Sequence, residues 1–291
     1  MTSWTGRTFG NEWMHRWLIR LLRHVDVRVM YVFVEIFIIP ACLLFSPSRG
    51  IAYRYFRRRI GCGRLKSVWL TYVNHCLFGQ VVVDKFAMYA GKTFDVEIAG
   101  GEKFTELARR PEGFVLLSSH VGNFEIAGYT LVCKEKRLNA LVFAGEKASV
   151  MRNRDRMFSG TNSNMIAIRT DMSHLFEIDR ALAEGEIVCM SADRINGSHK
   201  TIVHEFLGAK AKFPLGPFSI ATVRSLDVLA IHVMKVARTK YKICVNPLPY
   251  DKGATRQEQV GQLSEAYVRE LERQVLGHPT QWYNYFEFWH D

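Results

Sequence analysis

The sequence lacks paired cysteines: Cys42, Cys62, Cys76, Cys133, Cys189 and Cys244 stand singly, with no Cys-x-x-Cys. That spacing argues against a disulfide framework. With no cleavable signal peptide visible, reduced thiols in a cytoplasmic setting are the expectation. A zinc site drawing on His199, His204 and a distant cysteine is the weak alternative, and no metal is expected. There is no Gly-x-Ser-x-Gly, so a serine nucleophile on an elbow is excluded. No linker rich in proline, glycine or serine divides the chain, and no repeat or low-complexity tract occurs. The net charge of +11 admits nucleic acid, an anionic membrane or an acidic protein as partner. Zinc-finger spacing, an RNA-recognition signature and basic repeats are all missing, so no nucleic acid is expected.

What is present centres on 114–125. The apolar run from Phe114 to Leu117 is too continuous for a half-exposed strand and reads as a buried one. Ser118, Ser119 and His120 end it, and Gly122-Asn123 turns the chain. Asn123 is a candidate N-cap for a helix from Phe124, with Glu125 in its first turn. A histidine at a strand's carboxyl end, followed across a turn by a carboxylate, suits a base and its orienter. The carboxylate would fix the imidazole tautomer and stabilise the imidazolium. With no nucleophile elbow, the simplest use is to deprotonate a substrate hydroxyl. The bland alternative is a core histidine.

The spacing alone is weak, arising by chance roughly once in a chain this long. His174 and Asp179 share it, but inside an amphipathic helix, where residues five apart diverge by about 140°. His120 and Glu125 straddle a strand–turn–helix junction instead.

Residues 11–60 pose a membrane question. Val29 to Phe45 is dominated by large apolar side chains, yet includes Glu35 and Pro40 and is barely long enough to span a bilayer. Basic Arg16, Arg20 and Arg23 precede it, and Arg49, Arg54, Arg57, Arg58, Arg59, Arg64 and Lys66 follow. A helix in or dipping into the cytoplasmic face, with its basic rim on anionic headgroups, accounts for both features. The alternative is a buried helix of a soluble domain. Residues 1–66 are therefore read as a membrane-anchoring segment, and 67–291 as one domain.

Residues 65–92 read helical. From 93 onward short strands alternate with helices: strands over 94–98, 114–119, 138–144, 165–169 and 186–192, helices over 101–110, 124–135, 147–159 and 173–184. A helix over 214–224, a strand pair over 228–236 and 241–245, and a helix over 256–275 complete the chain. The fold class is α/β: a mixed, mostly parallel sheet flanked by helices, with an N-terminal hydrophobic membrane-associated helix.

The stretch Val115-Leu-Leu-Ser-Ser-His-Val-Gly-Asn-Phe-Glu-Ile-Ala-Gly128 resembles the first motif of the late acyltransferases of lipid A biosynthesis, within the glycerolipid acyltransferase superfamily and its His-x4-Asp/Glu signature. Met165-Ile-Ala-Ile-Arg-Thr170 resembles the second block, and Met190-Ser-Ala-Asp-Arg194 stands where an acidic third block follows a strand. Phe206 to Pro217 resembles the later Phe-Gly…Pro-x-Gly segment, and Gln281-Trp282-Tyr283 the Gln-Trp ending. The third block lacks the usual fuller pattern, and Arg152-Asn-Arg-Asp-Arg156 has no counterpart in these motifs.

The resemblance implies an O-acyltransferase on the cytoplasmic face of the bacterial inner membrane. An acyl carrier protein or coenzyme A thioester is the donor and a lipid A precursor the acceptor. A lysophospholipid or amino-acid lipid is the alternative acceptor, and a non-catalytic peripheral membrane protein the rival class. His120 and Glu125 are the expected catalytic pair. Arg169, Asn123, Asp193 and Arg194 are expected at the substrate or oxyanion. Against these stand structural readings: Arg169 paired with Asp171 or Asp179, and Asp193 with Arg194 as support. Arg152, Arg154 and Arg156 form either a solvated helix face or a phosphate or carrier contact. The six aromatics between Trp282 and Trp289 are read first as core packing. No cofactor and no covalent acyl-enzyme are expected.

Overall fold

The structure is a computed structural model and describes residues 10–131, 133–143, 145, 148–158, 160–169, 171–195 and 200–289. Helices open it: α1 (Glu12–His24), α2 (Val27–Phe33), a π-helical turn (Val34–Ile38), α3 (Ile39–Phe45) and α4 (Ser48–Arg54). A second π-helical turn (Tyr55–Arg59) leads to the long α5 (Arg64–Tyr89). Then follow β1 (Asp95–Ala99), α6 (Gly101–Arg109), β2 (Phe114–Gly122), α7 (Phe124–Thr130), β3 (Leu138–Phe143) and α8 (Ala148–Phe158). Next come β4 (Ser163–Ile168), α9 (His174–Ala183), β5 (Ile187–Ser191), β6 (Thr201–Phe206) and β7 (Ala209–Pro214). The chain ends with α10 (Gly216–Val223), β8 (Asp227–Ala237), β9 (Lys240–Pro247) and α11 (Arg256–Gly277).

Seven strands form one sheet in the order β1-β9-β8-β2-β5-β3-β4, parallel throughout except for the β8–β9 hairpin. It is the mixed, mostly parallel sheet expected. The apolar run of β2 is continuous because both faces are covered: Val115 and Leu117 enter one core, Phe114 and Leu116 the other. A third core joins Leu22, Tyr31 and Val34 of the opening helices to Val83, Phe86 and Ala87 of α5.

Most boundaries shift by a few residues, and the chief departures from expectation are in β2, α7 and the β6–β7 hairpin. β2 runs on to Gly122 and α7 stops at Thr130. The β6–β7 hairpin, a separate two-stranded sheet, was not foreseen at all. Its turn, Leu207-Gly208, places both residues at positive φ (50° and 74°), and a leucine there gives no turn signal. By contrast α11 starts where a capping box dictates: Thr255 Oγ1 takes the Glu258 N–H, and the Glu258 carboxylate returns to the Thr255 N–H.

Candidate active site

β2 delivers His120 to the carboxyl end of a central strand, the edge at which open α/β sheets bind ligands. The turn after it is dictated by glycine. Gly122 has φ +70°, and a Cβ there would stand 1.8 Å from the Val233 carbonyl oxygen of β8. Asn123 does not cap α7 with its side chain. It is 2% exposed, its N–H donates to Val233 O at 2.9 Å, and its Nδ2 lies 3.4 Å from Tyr241 Oη. The β8–β9 packing has drawn the amide inward, away from the helix terminus and from solvent.

His120 has a carboxylate partner, but it is Asp193. One Asp193 oxygen accepts from His120 Nδ1 at 2.8 Å and the other from the His120 backbone N–H at 2.8 Å. Ser191 Oγ donates to the same Asp193 oxygen at 2.9 Å. The two contacts hold both ring and backbone, and the ring contact assigns the proton to Nδ1, leaving Nε2 as the basic nitrogen. Topology produces the pairing. β2 and β5 are neighbours in parallel register up to Ser118↔Ser191, so the residues just past both strand ends meet. Burial and the Arg194 charge lower the His120 pKa, and Asp193 only partly offsets them, so the ring rests neutral. Burial opposes ionisation of Asp193, yet His120 and Arg194 keep its carboxyl well below the usual range.

Glu125 does not orient His120 in this structure. Its carboxylate binds Lys85 Nζ of α5 at 2.8 Å and Arg154 of α8 at 2.7 Å, with Tyr89 Oη at 3.4 Å. All three charged side chains are nearly buried. Burial pushes the carboxyl up, but the two cations outweigh it and hold it at about 2. Glu125 thus ties α7 to α5 and α8 just after the Gly122-Asn123 turn. Arg154, expected on a solvated face or at a phosphate or carrier contact, is the arginine of its stretch that turns inward, while Arg152 pairs with Glu12 on the surface.

Arg169 is also separated from His120. β4 is the third strand from β2, about 14 Å away at ordinary strand spacing. Its guanidinium is half exposed and bonded to Glu177 at 2.7 Å and Ser173 Oγ at 3.2 Å. It pairs with neither Asp171 nor Asp179; the latter binds Arg224. Arg194 does lie at the site. It is buried enough for its pKa to fall to about 10, donates to the Tyr283 carbonyl at 2.6 Å, and covers the Phe286 ring. His174 accepts the Arg169 N–H at 3.2 Å and diverges from Asp179, as its helical spacing requires. Of the weak zinc reading, His199 lies outside the described residues and His204 bonds Ser264 Oγ. Lys85, Ser191 and the Tyr283 backbone were not anticipated at the site; Ser191 and Tyr283 lie inside blocks that resemble the family's motifs, whereas no motif marks Lys85.

The terminal aromatics pack into the core, Trp282 and Phe288 among its buried members. Trp282 also bridges Val121 at the end of β2.

A family model described as bacterial lipid A biosynthesis acyltransferase matches residues 81–289. Among solved structures, the 1-acyl-sn-glycerophosphate (LPA) acyltransferase PlsC from Thermotoga maritima aligns with 93% of this chain and 100% of its own. The identity is 14% and the TM-score 0.40, a likeness too distant to bear on the site. No curated protein matches the chain.

Proposed function

Because the chain belongs to the bacterial lipid A biosynthesis acyltransferase family, and is thereby an acyltransferase of lipid metabolism, we propose the following reaction. It moves a fatty acyl group from an acyl-carrier-protein thioester to a hydroxyl of a lipid A precursor. The observation that carries the mechanism is the His120–Asp193 pair, both contacts at 2.8 Å. The acceptor oxygen attacks the thioester carbonyl as His120 Nε2 removes its proton. Asp193 keeps the other ring nitrogen protonated and stabilises the imidazolium. Arg194 is the charge that reaches His120 and suits the tetrahedral oxyanion. Collapse breaks the C–S bond, and the thiolate, a weak base, takes the proton back from the imidazolium.

The opening helices support a membrane-seated enzyme. Val27 to Phe45 has a mean hydropathy of 2.2 over its apolar window, of which 17% is buried. Val27, Tyr31, Val34 and Ile39 face the protein, while Phe33, Phe37, Leu44 and Phe45 are exposed, as are Trp13 and Trp17 of α1. The inner side is polar where it meets α5: Gln80 donates to the Glu35 carboxylate at 2.6 Å and Tyr72 to the Glu35 carbonyl at 3.1 Å. Polar anchoring along one side and apolar exposure along the other fit a helix lying in the cytoplasmic leaflet rather than crossing it. Arg16, Arg20, Arg23, Arg58 and Arg64, all exposed, are placed to meet anionic headgroups.

The test is turnover by the purified chain in lipid micelles. Acyl carrier protein and coenzyme A thioesters are compared as donors, and a lipid A precursor and a lysophospholipid as acceptors. The expected product is the precursor heavier by one acyl group, abolished by His120→Ala. Acylation of the lysophospholipid alone would reassign the acceptor, and full activity in His120→Ala would remove the mechanism.

A further inference from the structure

The Gln-Trp near the C-terminus has no part in the chemistry above, yet Tyr283, the residue that follows it, reaches His120. β2 leaves the sheet at Gly122, where its pairing with β8 ends opposite Val233. Further along that edge of β8, Lys235 has a backbone N–H and C=O that β2 no longer reaches. Gln281 takes both: its Oε1 accepts the Lys235 N–H at 2.8 Å and its Nε2 donates to the Lys235 carbonyl at 2.8 Å. A primary amide carries a donor and an acceptor side by side, as a neighbouring strand would, so Gln281 continues the ladder where β2 stops.

The next two residues hold the end of β2 itself. Trp282 bridges Val121, and the Tyr283 N–H donates to the His120 carbonyl at 3.2 Å. From outside, Asn74 of α5 donates to the Thr280 and Trp282 carbonyls at 2.8 and 3.1 Å. The side chain of Lys235 is anchored as well, by Asp84 with Tyr31 and Tyr241 around it. His120 is consequently gripped by its N–H and ring through Asp193 and by its carbonyl through Tyr283.

We infer that the Gln281–Tyr283 strap, keyed to β8 by the Gln281 amide, is the positioning element that fixes His120 at the end of β2, with Gln281 as its positioning residue. The inference rests on the catalytic reading only in taking His120 as the base; the contacts themselves stand apart from it. The groups facing His120 are Ser191 at the end of β5, Asp193 and Arg194 just beyond it, the Tyr283 N–H of the strap, and Phe124 of α7. Glu125 of α7 is turned onto its cations, and His232 of β8 sits behind Ser119, held neutral by burial. Loosening the strap admits water beside the ring and weakens its hold on the Nδ1–H tautomer.

The experiment is NMR of the full-length protein in micelles with 15N- and 13C-labelled histidine, His120 being assigned by its loss in His120→Gln. In the parent, His120 titrates below an ordinary histidine and rests as the Nδ1–H tautomer. Gln281→Met keeps the side-chain length and removes both hydrogen bonds. It should raise the His120 midpoint by about half a pH unit or more and mix the tautomers. Asn74→Leu frees the strap from its other side and should act in the same direction. If Gln281→Met does not fold, Asn74→Leu decides by the same criterion. A His120 midpoint and tautomer unchanged in the folded variants would overturn the inference. Activity surviving in His120→Ala, with the titration still displaced in Gln281→Met, would end the catalytic reading and leave the positioning intact.

Discussion

Replacing Glu125 by glutamine separates two roles for the same carboxylate. In the structure Glu125 neutralises Lys85 and Arg154 in a nearly buried cluster and touches His120 through no hydrogen bond. A carboxyl held at about 2 against an ordinary 4.5 stabilises the fold by about 3 kcal/mol, at about 1.4 kcal/mol per pH unit. The folded pKa is depressed, so this contribution is complete above pH 4.5 and is lost as pH falls from there towards 2. For a chain of 291 residues, with an unfolding entropy of about 2 cal/mol/K per residue, 3 kcal/mol lowers Tm by about 5 °C. Glu125→Gln should show that deficit at pH 7, and the gap to the parent should narrow as pH falls below 4.5 and close only towards pH 2, where the parent carboxyl is itself neutral. Scanning fluorimetry from about pH 2 to 7 reads it. Asp193→Asn is the counterpart: with its amide facing Nδ1 it favours the wrong tautomer, and turnover should fall on the order of a thousandfold or more. An unchanged Tm in Glu125→Gln together with turnover as low as in His120→Ala would refute this division of roles and restore Glu125 as the orienter.

Two further substitutions test the frame around the site. Arg169→Ala should leave kcat within a few-fold of the parent, since the guanidinium is half exposed on Glu177 at the sheet edge; a loss of a hundredfold in steady-state kinetics would return it to the oxyanion. Gly122→Ala places a Cβ 1.8 Å from the Val233 carbonyl at φ +70°, so turnover should be lost and Tm should drop, by more than the ~1 kcal/mol of an ordinary glycine replacement.

The sequence by itself determined the alternation of strands and helices, and with it the class of sheet. Patterning is local: burial on both faces of β2 needs an unbroken apolar run, and Phe114 to Leu117 supply it. It also placed His120 at a strand end, the turn at Gly122, and the divergence of His174 from Asp179, all of which depend on neighbours within a few residues. Partner choice was decided elsewhere. Glu125 is five residues from His120 but is claimed by cations from α5 and α8, and Asp193, 73 positions away, reaches His120 because β5 lies beside β2. Strand order is the outcome of how whole helices cover the sheet, and no spacing along the chain encodes which strand ends become neighbours. The same holds for Arg169, at a strand end like His120 yet three strands away, and for Gln281, whose amide has meaning only where β2 leaves β8 unpaired. A motif names the groups available for chemistry, and only the packed sheet pairs them, because hydrogen bonds act over about 3 Å of space whatever the distance along the chain.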